Sequence, residues 1–437
     1  MTLDGLGQAF VALTLFGCLI LALRVTGMIY LLRLHLGLRR DGVALEARRL
    51  AHPLPPYSGL PHVVVQIPVF NEGAIVERGI ASAARLDWPK DRLHIQVCDD
   101  STDGTTDLAR AAARRAARKG VDIVVLHRDE RRDFKAGALR AAMAETPHDT
   151  FAILDVDYVP APDFLRRCMA ALTSEPDLAF VQARPDFLNR DENALTRAQA
   201  IILDFHYGLE QPTRTWANHA PPFNGTCGIW RRAAIEAGGG WRGDTLSEDW
   251  DLSYRVMFKG WRGVFLATVP VPGELPTKLS AWITQQNRWA AGIGEVSKKV
   301  VPAVLFDRSL SRQERWGVFF SLGTWFGDVM FPATLFLAVA AMLLQPSVAL
   351  VLGLTVYAVY VAAAVALFAL MLAANRFLQR GTPLPSFVFN FTIGLGLLIY
   401  IIWADFRSLP ATLIGRRRVF ARTPKEGSVL SAGRDPR

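Results

Sequence analysis

"FAILDVDYVPAPDF" (151–164) is the stretch on which the fold turns. An apolar run, Phe151 to Leu154, ends in Asp155 and Asp157 with one residue between them. A short apolar run bounded by turn residues reads as a strand buried on both faces. On a strand, side chains two apart point the same way, so both carboxylates would leave one face. Like charges that close repel, so a positive group is expected between them.

The pattern repeats on either side. "HVVVQIPV" (62–69), "LHIQVCD" (93–99), "DIVVLHR" (122–128), "FAILDVD" (151–157) and "LAFVQAR" (178–184) read as strands. "EGAIVERGIASAARL", "TTDLARAAARRAARKG", "KAGALRAAMAE" and "PDFLRRCMAAL" between them read as helices. Apolar strands alternating with helices indicate an α/β domain with a parallel, doubly wound sheet. Ligands of such sheets sit beyond the carboxyl ends of the strands.

The rest of the chain is of another kind. Of its 437 residues 51% are hydrophobic, with long apolar runs at 8–32, 317–344, 348–373 and 386–403. Each is near the roughly 20 residues that a spanning helix needs. The first has no basic stretch before it and no small-residue cleavage pattern after it, so it reads as an anchor rather than a cleaved signal. Arg33, Arg39, Arg40, Arg48 and Arg49 follow it, which puts the next segment in the cytoplasm. The expected organisation is a transmembrane anchor and juxtamembrane segment over 1–49, a cytoplasmic catalytic domain over 50–300 opened by the proline-rich "LAHPLPPYSGLP", interfacial and transmembrane helices over 301–415, and a basic tail over 416–437. Three apolar runs after the catalytic domain would leave the tail outside, against the charge rule. The run 317–344 holds Asp328 and Pro332, so its first half is expected to lie along the interface or re-enter. The net charge of +9 gathers beside the membrane, as at Lys298–Lys299 and Arg416–Arg418. No basic stripe with interleaved aromatics suggests nucleic acid. Cys18, Cys98, Cys168 and Cys227 have no metal-type spacing and suit a reduced compartment.

The strand ends carry the chemistry. "IPVFNE" (67–72) leaves a strand at Pro68 and offers Asn71 and Glu72, with Asn71 as a helix cap in the plain alternative. "CDDSTDGTTD" (98–107) offers Asp99 and Asp100, which suit ribose hydroxyls or a base edge, or a capped turn. It lacks the glycine fingerprint of nicotinamide binding, which disfavours an oxidoreductase. Asp155 and Asp157 are hard oxygen ligands for a divalent cation, although the motif alone is common. Lys135, near a helix start in "DFKAGALRAA", would meet a diphosphate together with backbone N–H groups. "PFNGTCGIWRR" (222–232) is a glycine-containing loop in which Asn224, Gly225 and Thr226 line an acceptor groove, or form a turn. "GDTLSEDWDLSYRVMFKGW" (243–261) puts Glu248, Asp249 and Asp251 in the first turn of a helix capped by Ser247. They either complement the helix dipole or supply a general base. "WITQQNRWAAG" (282–292) repeats Trp282, Gln285, Arg288, Trp289 and Gly292 at helical spacing. That is an interfacial helix, or a phosphate-bridging Arg288 beside a sugar-packing Trp289.

Taken in order, Asp-Asp, Lys-Ala-Gly, Asp-x-Asp, Asn-Gly-Thr, Glu-Asp and Gln-x-x-Arg-Trp over residues 60–300 resemble family 2 glycosyltransferases. The likeness is closer to the membrane-embedded β-glycan synthases, which include cellulose, hyaluronan and chitin synthases. "VQIPVFNE", "IQVCDDSTD", "VQARPDFLNRDENALTRAQ", "FNGTCGIWR" and "ELPTKLSAWITQQNRWAAG" look most like the cellulose-synthase-like mannan and glucomannan synthases and their bacterial relatives. The resemblance implies a GT-A (Rossmann-like) domain beside an α-helical transmembrane region. It implies inverting hexose transfer from GDP-mannose or UDP-glucose, with Mg²⁺ or Mn²⁺, to a growing β-linked mannan, glucomannan or glucan. Pro68, Glu72, Asp99, Asp100, Lys135, Asp155, Gln285, Arg288 and Trp289 would hold the donor, and Asp155 and Asp157 the cation. Asp249, with Glu248, would be the base, and Asn224, Gly225, Thr226 and Trp289 would meet the acceptor. Many relatives have Thr or Val where this chain has Ser247. The rivals are single-sugar transfer to a membrane lipid and a non-catalytic membrane scaffold that keeps the fold. The protein is expected among membrane lipids, in the inner membrane if bacterial, with the catalytic domain cytoplasmic. No export partner is specified.

Overall fold

A computed structural model describes residues 2–307, 310–415, 423 and 427. Arg416–Arg418 and nearly all of the basic tail lie outside the described residues. One seven-stranded sheet organises the middle of the chain. Its strands are β1 (Val63–Val69), β2 (Leu93–Asp99), β3 (Asp122–His127), β4 (Thr150–Ile153), β5 (Leu178–Phe187), β6 (Gly228–Arg231) and β7 (Arg262–Gly273), in the order β3-β2-β1-β4-β6-β5-β7. The five expected strands are present and mutually parallel. The sheet is nevertheless mixed, because β6 pairs antiparallel with both β4 and β5. β6 falls in the stretch whose sequence suggests a loop, since "GIWR" is too short to show a period.

β1, β2, β4 and most of β5 are buried on both faces, as their apolar runs require. β3, at the edge, alternates exposed and half-buried residues. The helices of this region are α2 (Val76–Ala83), α3 (Thr105–Ala117), α4 (Phe134–Ala144), α5 (Phe164–Thr173), α6 (Ala194–Asp204), α7 (Gln211–Trp216), α8 (Arg232–Ala237) and α9 (Glu248–Met257). One face of the sheet packs Val65, Ile67, Ile95 and Val97 with Phe164 and Leu172; the other packs Val64, Phe151, Phe180 and Trp230 with Leu139 and Leu252.

The first helix, α1, runs unbroken from Leu3 to Leu50, well past the apolar run. Its far end is docked rather than loose. Glu46 accepts the backbone N–H groups of Ala267 and Thr268 on β7 (3.0 and 2.7 Å), and Arg49 pairs with Glu175 at 2.7 Å. The remaining helices are α10 (Leu279–Phe306), α11 (Arg312–Leu344), α12 (Ala349–Phe377) and α13 (Leu384–Ile414). The expected domain boundary at 300 falls inside α10.

Four helical stretches are long and apolar enough to cross a membrane: Leu3–Leu50, Trp325–Leu344, Pro346–Phe377 and Leu384–Ile414. α11 is one continuous helix through Asp328 and Pro332, so of the two expectations for its first half the re-entrant one does not hold. Asp328 is instead paired with Arg24 of α1, which compensates a carboxylate in an apolar segment. The link between α12 and α13 is fastened to the catalytic domain. Arg380 pairs with Asp186 and Asp204, both at 2.8 Å.

Candidate active site

The site lies at the carboxyl edge of the sheet, where β1, β2 and β4 end beside the first turns of α4 and α9. Lys135, the second residue of α4, is its centre. Its Nζ donates to Asp155 Oδ1 at 2.6 Å and to the carbonyl of Gly225 at 2.9 Å. Burial works against the ammonium, but Asp155 and Glu248 outweigh it and raise its pKa. The positive group demanded by the acidic pair is therefore a lysine, brought from another element.

Asp155 and Asp157 do not share a strand face. β4 ends at Ile153, and the two aspartates sit in the turn beyond it, because the Asp155 N–H bonds the Thr226 hydroxyl (2.8 Å) rather than a neighbouring strand. Asp155 keeps 36% of its side chain exposed, whereas Asp157 is 5% exposed. Carboxylate oxygens on an open crevice fit a hard divalent cation, with Asp155 as the accessible donor.

Asp249 and Glu248 open α9 as expected. Gly225 has φ of +79°, and a Cβ there would lie 2.9 Å from Asp249 Oδ2 and 3.6 Å from Lys135 Nζ. Only glycine lets the loop take this left-handed conformation so close to both groups. Ser253 fastens the loop to α9, accepting from the Phe223 N–H (2.9 Å) and donating to the Asp249 carbonyl (2.7 Å). Burial, then the charge of Glu248, raises the Asp249 pKa to about 7 against the pull of Lys135. Glu248 is also raised, by burial. Ser247 occupies the cap position but makes no capping hydrogen bond with its side chain. Its hydroxyl lies where a Cβ on Gly292 would fall, at 2.1 Å, so that glycine brings α10 against the start of α9.

Gln285, Arg288 and Trp289 are half-buried on one face of α10. Burial lowers the Arg288 pKa, while Glu248, Asp155, Asp249 and Glu72 favour its charge, so the guanidinium sits among the carboxylates of the site.

The second strand end behaves differently. Asp99 is fully buried and accepts from Ser101 N–H (3.1 Å), the Thr106 hydroxyl (2.7 Å) and His127 Nδ1 (2.7 Å). Asp100 is clamped by two Arg128 nitrogens, both at 2.7 Å. Both lie buried at the edge of the sheet, partnered within the protein. Pro68 is the penultimate residue of β1, in register with Cys98. Asn71 does not cap α2; at φ of +55° it accepts from the Thr102 N–H at 2.8 Å and joins the first two strand ends. Glu72 acts electrostatically on both Arg131 and Arg288.

Three residues escaped the sequence reading. Arg131 lies 3.5 Å from the centre of the Phe70 ring and shares the field of Asp100, Glu72 and Arg288. In "HRDERRDF" nothing separates it from a solvated charge run. His206, in a π-helical turn between α6 and α7, meets Asn224 Oδ1 through Nε2 (2.9 Å) and Glu210 through Nδ1 (2.7 Å). Gln182 of β5 accepts the Asn224 side-chain amide at 2.9 Å and donates to the Thr226 carbonyl at 2.8 Å. Asn224 is thus a fixed wall of the crevice, held by residues distant from it in sequence.

Known proteins carry the same pattern. The chain is 36% identical over 304 residues to glucomannan 4-beta-mannosyltransferase 1 of Oryza sativa subsp. japonica, covering 66% of this chain and 58% of that protein. It is 40% identical over 268 residues to glucomannan 4-beta-mannosyltransferase 9 of Arabidopsis thaliana, covering 60% and 50%. The chain spans about half the length of these curated relatives. Among solved structures, the mannosyltransferase PcManGT from Pyrobaculum calidifontis, in complex with GDP-Man and Mn²⁺, aligns with a TM-score of 0.51 at 20% identity over 90% of this chain and 98% of that one. That likeness establishes the GT-A fold. A family model described as "Glycosyltransferase like family 2" matches residues 61–292. The match takes in every strand of the sheet and the first half of α10 with Gln285, Arg288 and Trp289, and the chain belongs to that family.

Proposed function

We propose that this protein is an inverting, membrane-bound glycosyltransferase that moves a hexose from a nucleoside-diphosphate sugar onto a growing β-linked polysaccharide of the mannan or glucomannan type. One observation carries the reading: Asp249, its pKa near 7, stands beside a crevice that also holds Lys135 and Arg288. A base near neutrality takes a proton most effectively at physiological pH. Asp249 removes the proton of an acceptor hydroxyl, whose oxygen attacks the anomeric carbon. The bond to the diphosphate breaks and its electron pair leaves with the nucleotide. Lys135, Arg288 and Arg131 face the growing negative charge. Asp155 and Asp157 would hold a divalent cation, which would supply further positive charge to the diphosphate. Asn224, Gly225, Thr226 and Trp289 line the acceptor side.

The names of the relatives and the GDP-Man bound to PcManGT favour GDP-mannose over UDP-glucose, and its Mn²⁺ suggests the cation. The deciding experiment is a donor screen on detergent-purified protein with Mg²⁺ or Mn²⁺, with the product sized. Long β-linked chains from GDP-mannose are expected. No transfer from any nucleotide sugar would overturn the reading.

Contacts support a topology in which α1, α11 and α12 cross the bilayer while α13 lies along its cytoplasmic face. α13 stays against the catalytic domain and α10 along its length. Phe387 packs on Ile201, the Tyr400 hydroxyl bonds Asn287 (3.3 Å), and the Thr412 and Leu413 carbonyls accept from Lys298 (3.1 and 2.9 Å). Two crossings after the catalytic domain return Gly415 to the cytoplasmic side, as the charge rule asks of Arg416–Arg418. A cysteine introduced beyond Gly415 should resist impermeant thiol reagents in intact cells; labelling from outside would sink this topology. Three crossings also favour a second reading, transfer of one sugar to a membrane lipid, since they leave little wall for a polymer channel. A product carrying a single sugar on an extractable lipid would select it.

A further inference from the structure

At the opposite edge of the sheet, three histidines from distant parts of the chain meet. His62 immediately precedes β1, His94 is the second residue of β2, and His148 lies just before β4. The strand order β2-β1-β4 makes these starts neighbours, with Val63 of β1 in register with both Leu93 and Thr150. His62 Nδ1 and His94 Nε2 are 2.9 Å apart, and one nitrogen from each of the three rings falls within 4.8 Å of the others. The rings stack, His148 lying 4.5 Å from His62 and 4.2 Å from His94 between centroids. All three are half-buried, so the cluster is held by the fold and still open to solvent.

From this geometry we infer a binding site for a borderline transition dication of the zinc class, clamped by His62, His94 and His148. Imidazole nitrogen is a preferred ligand of such ions and a poor one for Mg²⁺. The second layer is already in place. His94 Nδ1 donates to Asp122 Oδ2 of β3 at 2.6 Å, which fixes that ring and turns the Nε2 lone pair toward the cluster. Asp91 and Asp149 add negative charge nearby, opposed by Arg92 and Arg232. The near-parallel rings must rotate about Cβ–Cγ to aim at one point, a broad torsion that their partial exposure leaves free. The ion would tie together the starts of the three strands whose other ends carry Pro68, Asp99 and Asp155. It would sit roughly 20 Å from them, one strand length away. It is thus distinct from the cation expected at Asp155 and independent of the transfer reaction.

The test uses full-length protein without a polyhistidine tag, stripped with chelator and titrated with Zn²⁺ or Co²⁺ in detergent. The wild type is expected to bind one equivalent at this site, to show a visible cobalt band, and to melt at higher temperature with Zn²⁺ but not with Mg²⁺. H62A/H148A, checked for folding by circular dichroism, should lose that equivalent and the band. D122N should bind about 10- to 100-fold more weakly. A wild type that gains neither the equivalent nor the shift in melting overturns the site. So does a folded H62A/H148A that binds as the wild type does, because the ion would then lie elsewhere, at Asp155 for example.

Discussion

The ends of β2 and β4 look alike in one dimension and behave oppositely in three. Each is an apolar strand running into two acidic residues. At β2 every charge is met: Asp99 by Ser101, Thr106 and His127, and Asp100 by a two-point clamp from Arg128. Beside β4, Asp155, Glu248 and Asp249 crowd round Lys135 and Arg288, and the pKa values of Glu248 and Asp249 rise. A satisfied acidic strand end holds the scaffold. An under-compensated one stores the electrostatic tension that a proton transfer and a departing diphosphate release.

The largest effect that would break this contrast is at Asp249. Asp249→Asn should lower the transfer rate by about 10²- to 10⁴-fold while donor binding survives. Initial rates together with calorimetric binding of the nucleotide sugar check it. Arg288→Lys should follow, costing about 10²-fold in turnover through the loss of bidentate phosphate contact, with little change in melting temperature. The pH profile sharpens the comparison. Since the base must be ionised, log kcat/KM should rise with pH and level off near 7. Lys135→Met removes the charge that holds the Asp249 pKa down, so the limb should move to higher pH; an unmoved limb would assign it to another group. At β2 the expected loss is in stability. Asp99→Asn should destabilise by about 1–3 kcal/mol, read in thermal or denaturant melts, because buried donors lose an ionic partner. Its KM for the donor should barely change. Smallest is Ser247→Ala, within about 0.5 kcal/mol and near wild-type rate, since that hydroxyl caps nothing.

Much of the fold was legible because period and length are local properties. The five parallel strands follow from short apolar runs that must be covered on both faces. Lys135, Glu248, Asp249 and the Gln285–Arg288–Trp289 face were legible as motifs, each on the element expected. β6 was not, because four residues carry no period and its direction is set by pairing with β4 and β5. Nor was Arg131, one arginine among several, whose placement depends on Phe70 from another strand end. The apparent strand geometry of Asp155 and Asp157 failed because Thr226, distant in sequence, takes the Asp155 N–H and ends the ladder.

The α/β core, the apolar helices around it and the chemical types available at the strand ends are properties of the local residue order. Hydrophobic periodicity and side-chain chemistry are written residue by residue. Which carboxylates are quenched and which stay poised, the packing of α13 against the catalytic domain, and the convergence of three histidines at the far edge emerge only when the chain folds. Each of these depends on partners brought together by strand order and helix packing, and on the burial that sets how strongly their charges are felt.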